Sequence, residues 1–353
     1  MQTISLFLLF TLGILQSYGP YARPLRGGNH SVAAAHGNAL LAWSENDASG
    51  RARVHVLMLD SAGRGVSPIR TLPALTESRD ALVPAVATDG ESFLVTWEEA
   101  LGVQQTVSMA LDAGGVPAGV PHALTYDAPI LSAYESSRVR WTGSQYVVIN
   151  SANATINVDR DGTSLGAAGT NSVVQAGIRT APAGNIGFPG GTSLNHYWVW
   201  VDWRVGARSN SVFLGTDVQT SPPVITQAGN RYVVVWTENN GIRFYYTDET
   251  FTRGYTADAD SFSRPRVECG ATHCFVAYAT KHNDIAGFVF DHRQPAAIPT
   301  PFTIAASAAT EREPELTLVT DTRALVTWRS SEADGEHLAG RTLALPSKQR
   351  AVR

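Results

Sequence analysis

Carboxylates follow an aromatic residue at several places in this 353-residue chain: Glu45 after Trp43, Glu98 and Glu99 after Trp97, Glu238 after Trp236 and Glu332 after Trp328. Asp202, Trp203 and Arg204 extend a further segment of the same kind, Tyr197-Trp-Val-Trp-Val-Asp-Trp203. Aromatic faces stack on sugar rings and carboxylates accept hydrogen bonds from hydroxyls, so the combination suits a glycan. Two carboxylates at the right separation would also hydrolyse a glycosidic bond, one as acid and the other as nucleophile or base. A competing reading is plainer. A Trp that recurs in every repeat is what an apolar interface between repeats needs, and acids after a strand are often solvated loop residues. Trp203 breaks the repeat. The candidate ligand-binding residues are therefore Trp203, Asp202, Arg204, Glu98 and Glu238.

Other chemistry is poorly represented. There is no Gly-rich phosphate loop, no Gly-x-Ser-x-Gly elbow and no His-Glu-x-x-His. Asp159-Arg-Asp-Gly162 hints at a calcium loop, but no acid follows at the required distance, and a hairpin turn is the expectation. His282, Asp284, Asp291 and His292 are the nearest thing to a metal cluster, and their spacing is not that of a zinc site. We expect no metal and no cofactor, and no catalytic residue can be named. Cys269 and Cys274 are separated by Gly270 to His273, a loop between two strands, which sets them opposite each other for a disulfide.

These residues sit on a repeating framework. Seven short apolar runs end at residues 43, 97, 150, 200, 236, 278 and 328, in steps of 54, 53, 50, 36, 42 and 50. All but Asn150 close on an aromatic. A period of about 40–50 residues rich in strand formers is that of propeller blades. The clearest unit is Pro84-Ala-Val-Ala-Thr-Asp-Gly-Glu-Ser-Phe-Leu-Val-Thr-Trp97. Asp89-Gly90 makes its tight turn, and Pro84, like Pro223, Pro265 and Pro314, opens a strand at a place where no amide donor is needed. Turns of the form Asp60-Ser-Ala-Gly63 separate later strands. The stretch from Thr170 to Leu194 is long, Gly-rich and weakly patterned. Helical periodicity with caps is nearly absent.

The predicted fold is all-β: a seven-bladed β-propeller of four-stranded antiparallel blades. After His337–Leu345 the last repeat lacks a final strand, and Ala22-Arg-Pro-Leu-Arg26 resembles the fourth-strand segment Pro68-Ile-Arg-Thr-Leu72. The N-terminal strand is thus expected to close the ring. The Pro84–Trp97 unit resembles repeats in secreted bacterial β-propeller proteins. That resemblance spans nearly the whole chain and implies an extracytoplasmic protein without specifying an activity.

Composition narrows the partners. Only 16% of residues are charged and the net charge is −4, with no basic stripe, so nucleic acid is not expected. The apolar core Ile4 to Leu15 is too short to span a bilayer and reads as a secretory leader. The expected organisation is a signal peptide over 1–19 and one propeller domain over 20–353, secreted or periplasmic, with no integral membrane segment in the mature chain. The expected function is binding of a polysaccharide or an extracellular protein without catalysis. The alternative is a glycoside hydrolase or polysaccharide lyase using carboxylates on the loop-rich face.

Overall fold

The computed structural model describes residues 16–17, 25–101, 104–125, 138–149, 155–167, 175–180, 197–205, 208–217, 223–229, 231–246, 253–256, 258–260, 263–293, 300–333 and 335–345. Their regular structure is entirely antiparallel strand. Strand β1 (Gln16–Ser17) belongs to the last blade. The first blade is β2 (Leu25–Ala35), β3 (Asn38–Asn46), β4 (Ala52–Leu59) and β5 (Arg70–Thr71). The second is β6 (Asp80–Thr88), β7 (Phe93–Ala100), β8 (Gln104–Leu111) and β9 (His122–Ala123). The third is β10 (Arg138–Trp141), β11 (Tyr146–Ile149), β12 (Thr155–Val158) and β13 (Ser164–Ala167). A three-stranded sheet follows: β14 (Gln175–Thr180), β15 (Tyr197–Val205) and β16 (Arg208–Asp217). The fourth blade is β17 (Val224–Ala228), β18 (Arg231–Glu238), β19 (Gly241–Tyr246) and β20 (Arg253–Thr256). The fifth is β21 (Arg266–Cys269), β22 (His273–Ala279), β23 (Ile285–Asp291) and β24 (Phe302–Ala305). The sixth is β25 (Thr310–Thr320), β26 (Arg323–Glu332) and β27 (Gly335–Ala344), with β1 at its outer edge.

The expectation of seven four-stranded blades is therefore corrected to six. The apolar run at Tyr197–Trp203 enters the three-stranded sheet instead. The run is flanked by one strand on either side, β14 and β16, so the described strands of this sheet number three where each blade has four. Five apolar cores join the six blades in succession. The two ends of this arc reach each other, with the Arg140 guanidinium of β10 lying 6.0 Å from the centre of the Tyr232 ring on β18. The three-stranded sheet touches the fourth blade through β14 and β17.

Closure also differs from the expectation. The strand on the outer edge of β27 is Gln16–Ser17, which pairs with Gly340 and Ala339. Leu25, by contrast, pairs with Glu45 at the start of β2. Residues 22–24 lie outside the described residues. The segment that completes the last blade thus falls inside the stretch read as a leader.

Each core is built the same way. Trp97 is 1% exposed and packs on Leu40, Ala42 and Val54 of the first blade. Trp43 packs on Val319, Leu325 and Leu338 of the sixth, and Trp328 on Phe275, Ala277 and Ile304 of the fifth. Both faces of a second strand are buried because a blade lies on either side, which is why these strands read as apolar runs without alternation. The Asp-x-x-Gly turns dock onto the preceding blade. Gly115 has φ +71, and a Cβ there would meet Met58 at 2.8 Å and Leu40 at 3.1 Å, so only glycine permits this approach. Ser108 Oγ donates to the carbonyl of Gly162, 2.6 Å away in the next such turn.

Candidate functional site

The acids behind the aromatics have structural partners. The Trp43, Trp97 and Trp236 indole N–H groups donate to the carboxylate two residues on, at Glu45 (3.4 Å), Glu99 (3.3 Å) and Glu238 (3.0 Å). Residues i and i+2 share a strand face, so the buried indole meets its acceptor without a loop. Glu99 is fully buried and also accepts the backbone N–H groups of Leu75 and Thr76 at 2.6 and 2.9 Å, which fixes the connection between β5 and β6. Glu98, on the opposite face, is 2% exposed and accepts from Thr106 Oγ1 at 3.1 Å. Glu238 additionally accepts from Arg243 Nε at 3.1 Å. In the sixth blade the corresponding residue is Ser330, and the buried Trp328 Nε1 has no hydrogen-bond partner. Asp202, Trp203 and Arg204 lie near the end of β15, opposite Ser211, Asn210 and Ser209 of β16. Their side chains lie outside the described residues.

A second set of charges occupies the axis. The first strands of successive blades touch one another, β10 to β6, β6 to β2, β2 to β25, β25 to β21 and β21 to β17, so these strands form the innermost ring. In every blade, one residue of that strand pairs with the residue just before the end of the apolar run. These residues are Ser31, Ala85, Arg138, Val224, Arg266 and Glu315. Two residues deeper, about 7 Å along the strand, stand Ala33, Ala87, Arg140, Thr226, Glu268 and Thr317. The first, second and fourth blades need only small or neutral side chains at both levels. The third, fifth and sixth carry charge.

The fifth and sixth blades make the denser cluster. Arg266 pairs with Glu315 of the neighbouring blade, and their side chains are 20% and 14% exposed. Val267 packs towards the fourth blade and Leu316 towards the fifth, so Arg266 and Glu315 face successive seams and can meet only on the axial side of β25. Arg329 binds Glu313 at 3.1 Å and Glu336 at 2.5 Å. Glu313 has φ +53 and forms, with Pro314, a bulge at the start of the inner strand, which turns its side chain to Arg329. Val83 before Pro84 adopts the same left-handed backbone, at φ +48.

Burial, reinforced by the Glu315 carboxylate, pushes the Glu268 carboxyl up to about 7. Among the described residues no hydrogen bond or ion pair reaches it. Burial would lower Arg266, but Glu315 outweighs it and holds the guanidinium more firmly charged. His30 is 2% exposed; its Nε2 lies 2.9 Å from Thr327 Oγ1 and its Nδ1 has no partner. Burial holds its imidazole down at about 4, against the pull of Glu315. Four carboxyls thus stand beside two guanidinium groups and a neutral imidazole.

Other sequence candidates are resolved differently. Cys269 and Cys274 pair across β21 and β22 and form the disulfide. Asp159 to Thr163 is a hairpin turn whose carboxylates accept local backbone N–H groups. His282 pairs with Asp258 at 3.0 Å, while Asp291 pairs with Arg293 at 2.6 Å, so the suspected metal cluster does not assemble. The axial charges were missed by reading the aromatics alone. Their signal lay in the residue after each strand-opening proline: Ala85, Val224, Arg266 and Glu315.

No family model matches the sequence, and no curated protein matches it. In fold the chain is similar to a protein of unknown function from Dyadobacter fermentans, with TM-score 0.53 and 9% identity over 94% of this chain and 99% of that one. It is also similar to a mutant of Trypanosoma rangeli sialidase displaying trans-sialidase activity, with TM-score 0.50 and 8% identity over 91% of this chain. The match covers 54% of the sialidase chain, about half its length. Identities this low show the β-propeller fold alone.

Proposed function

We propose that the protein is an extracytoplasmic binding module that seats a glycan over the axial ring. The rim residues Trp203, Asp202 and Arg204 would wall the ligand, whereas Glu98, buried on Thr106, and Glu238, held by Trp236 and Arg243, are taken up by the blades themselves. The observation that carries this reading is the presence of Arg266 and Glu268 where the second blade has Ala85 and Ala87. The second blade packs with small neutral residues at this register, so blade packing alone does not call for the charge. The disulfide is compatible with an extracellular location, and among the described residues no helix is long and apolar enough to cross a membrane.

A carbohydrate-active hydrolase or lyase is the second reading. It is favoured by one observation, a carboxyl pushed up to about 7 beside another carboxylate, which is the acid and base division that glycoside chemistry uses. A glycan array with the purified protein, followed by product analysis on any hit, separates the two. Binding without turnover supports the module; released product supports the enzyme; an array with no bound glycan overturns both.

A further inference from the structure

We propose that one water molecule is built into the seam between the fifth and sixth blades, where it accepts from the Trp328 indole N–H and is held by Glu311 and Ser330. The sixth blade has moved an acid across a strand pair. In the second blade Glu99, two residues after Trp97, stands opposite Ala81 of the first strand. In the sixth, the residue two after Trp328 is Ser330, and the acid is Glu311, opposite it on β25. Trp97 and Trp328 each face the preceding blade. Alternate residues and cross-strand partners share that face, so Ser330 and Glu311 look into the same seam as Trp328.

The exchange leaves two buried atoms unanswered. Trp43, Trp97 and Trp236 show where an indole N–H at this register points, which is to the side chain two residues on. In the sixth blade that side chain is Ser330, whose hydroxyl donates instead to Glu332 at 3.3 Å. Glu311 is the diagonal neighbour of Trp328, about 7 Å away along the face, and its Oε1 is drawn to Ser307 Oγ at 3.2 Å. Trp328 Nε1 and Glu311 Oε2 have no hydrogen-bond partner, in side chains 1% and 4% exposed. One is a donor, the other belongs to a carboxyl, and the Ser330 oxygen between them can still accept. Three polar partners in a buried seam are what an internal water needs. Burial pushes the Glu311 carboxyl up, against the Ser307 hydroxyl that favours its ionised form. A water donates to the carboxylate or accepts from the acid, so either form holds it. Arg341 Nε is also buried and unpartnered on the third strand, but it is a donor only and cannot answer the indole. A sugar hydroxyl offers the same chemistry as water, but side chains this buried exclude a ring.

The test is NMR of the full isotope-labelled chain, reading magnetisation transfer from water to the indole protons, with Trp328→Phe to assign the signal. Trp328 should show a cross-peak to a long-lived water, whereas Trp97 and Trp236, bound to carboxylates, should show none. Ser330→Glu should abolish the Trp328 cross-peak, because the added carboxylate takes the indole as Glu99 does and displaces the water. No cross-peak at Trp328 in the wild-type chain, or one that survives in folded Ser330→Glu, overturns the proposal. A crystal structure of the wild-type chain is a second readout that needs no variant. An ordered oxygen within about 3.2 Å of both Trp328 Nε1 and Glu311 Oε2 supports the site, and direct contact between those two atoms overturns it.

Discussion

Strands β6 and β21 occupy the same place in two blades and have been filled in opposite ways. On β6, Ala85 and Ala87 sit at the axial register, and the seam that Ala87 joins is closed by apolar residues such as Leu94, Tyr146 and Val148. On β21 the same register holds Arg266 and Glu268, one in a cross-blade ion pair and the other with no hydrogen-bond or ion-pair partner among the described residues. Both positions hold the same register against the second strand, Ala85 opposite Thr96 and Arg266 opposite Ala277. The first arrangement is what blade packing needs; the second burdens the fold with desolvated charge. Internal repeats thus provide their own control: the second blade packs without the charge that the fifth carries at the same register.

The largest expected effect breaks the apolar side of this comparison. Trp97→Ala should lower stability by about 3–5 kcal/mol, as removal of a buried indole does, read by chemical denaturation. A loss below 1 kcal/mol would mean that the seam is not held by the recurrent Trp. The next probes the charged side. Arg266→Ala leaves Glu315 and Glu268 uncompensated and should cost roughly 1–3 kcal/mol, less than a fully buried pair because both partners retain some exposure. The double variant Arg266→Ala/Glu315→Ala restores the small neutral character of the second blade and should return to within about 1 kcal/mol of the wild type. Additive losses in the double variant would instead make the pair an architectural element.

The pH dependence sharpens the same contrast. Glu268 rises from the ordinary 4.5 to about 7 on folding, so across that window the folded chain holds a proton that the unfolded chain has released. Its contribution to stability therefore falls as pH rises from 4.5 towards 7. His30 drops from 6.5 to about 4, so the unfolded chain binds the proton first, and its contribution is lost as pH falls from 6.5 towards 4. The two slopes oppose each other between pH 4.5 and 6.5. Relative to the wild type, Glu268→Gln should therefore tilt melting temperature upward with pH in this range and His30→Gln should tilt it downward. Tilts of the same sign would contradict the assignment. The smallest effect concerns Trp328, whose buried indole lacks an acceptor. Ser330→Glu places a carboxylate where Glu45, Glu99 and Glu238 stand in other blades, and should add about 0.5–1.5 kcal/mol; a destabilised variant would show that the site cannot admit the longer side chain.

Much of this fold was legible in the sequence because propeller packing is periodic. Trp43, Trp97, Trp236 and Trp328 mark the second strands, Asp89-Gly90 and Asp60 to Gly63 mark the turns, and Cys269 and Cys274 form the bridge their spacing suggests. The blade count was misread because an apolar run such as Tyr197–Trp203 announces a strand, not the outer strand that completes a blade. The closing strand was misread because two residues suffice to cap β27, and Gln16–Ser17 has no pattern of its own. The axial site was hidden for a different reason. Arg266 and Glu315 are 49 residues apart, and only the register of neighbouring blades brings them together.

The most direct test replaces the axial charges together. Arg138→Ala, Arg140→Ala, Arg266→Ala, Glu268→Ala and Glu315→Ala in one chain convert the ring to the alanines of the second blade. The measurement is ligand affinity, by titration with the best-binding glycan from the array, alongside the melting temperature of the same sample. A charged ring that exists for a ligand predicts an unchanged or higher melting temperature with binding lost. A chain that no longer folds, or one that folds and binds as before, would contradict it.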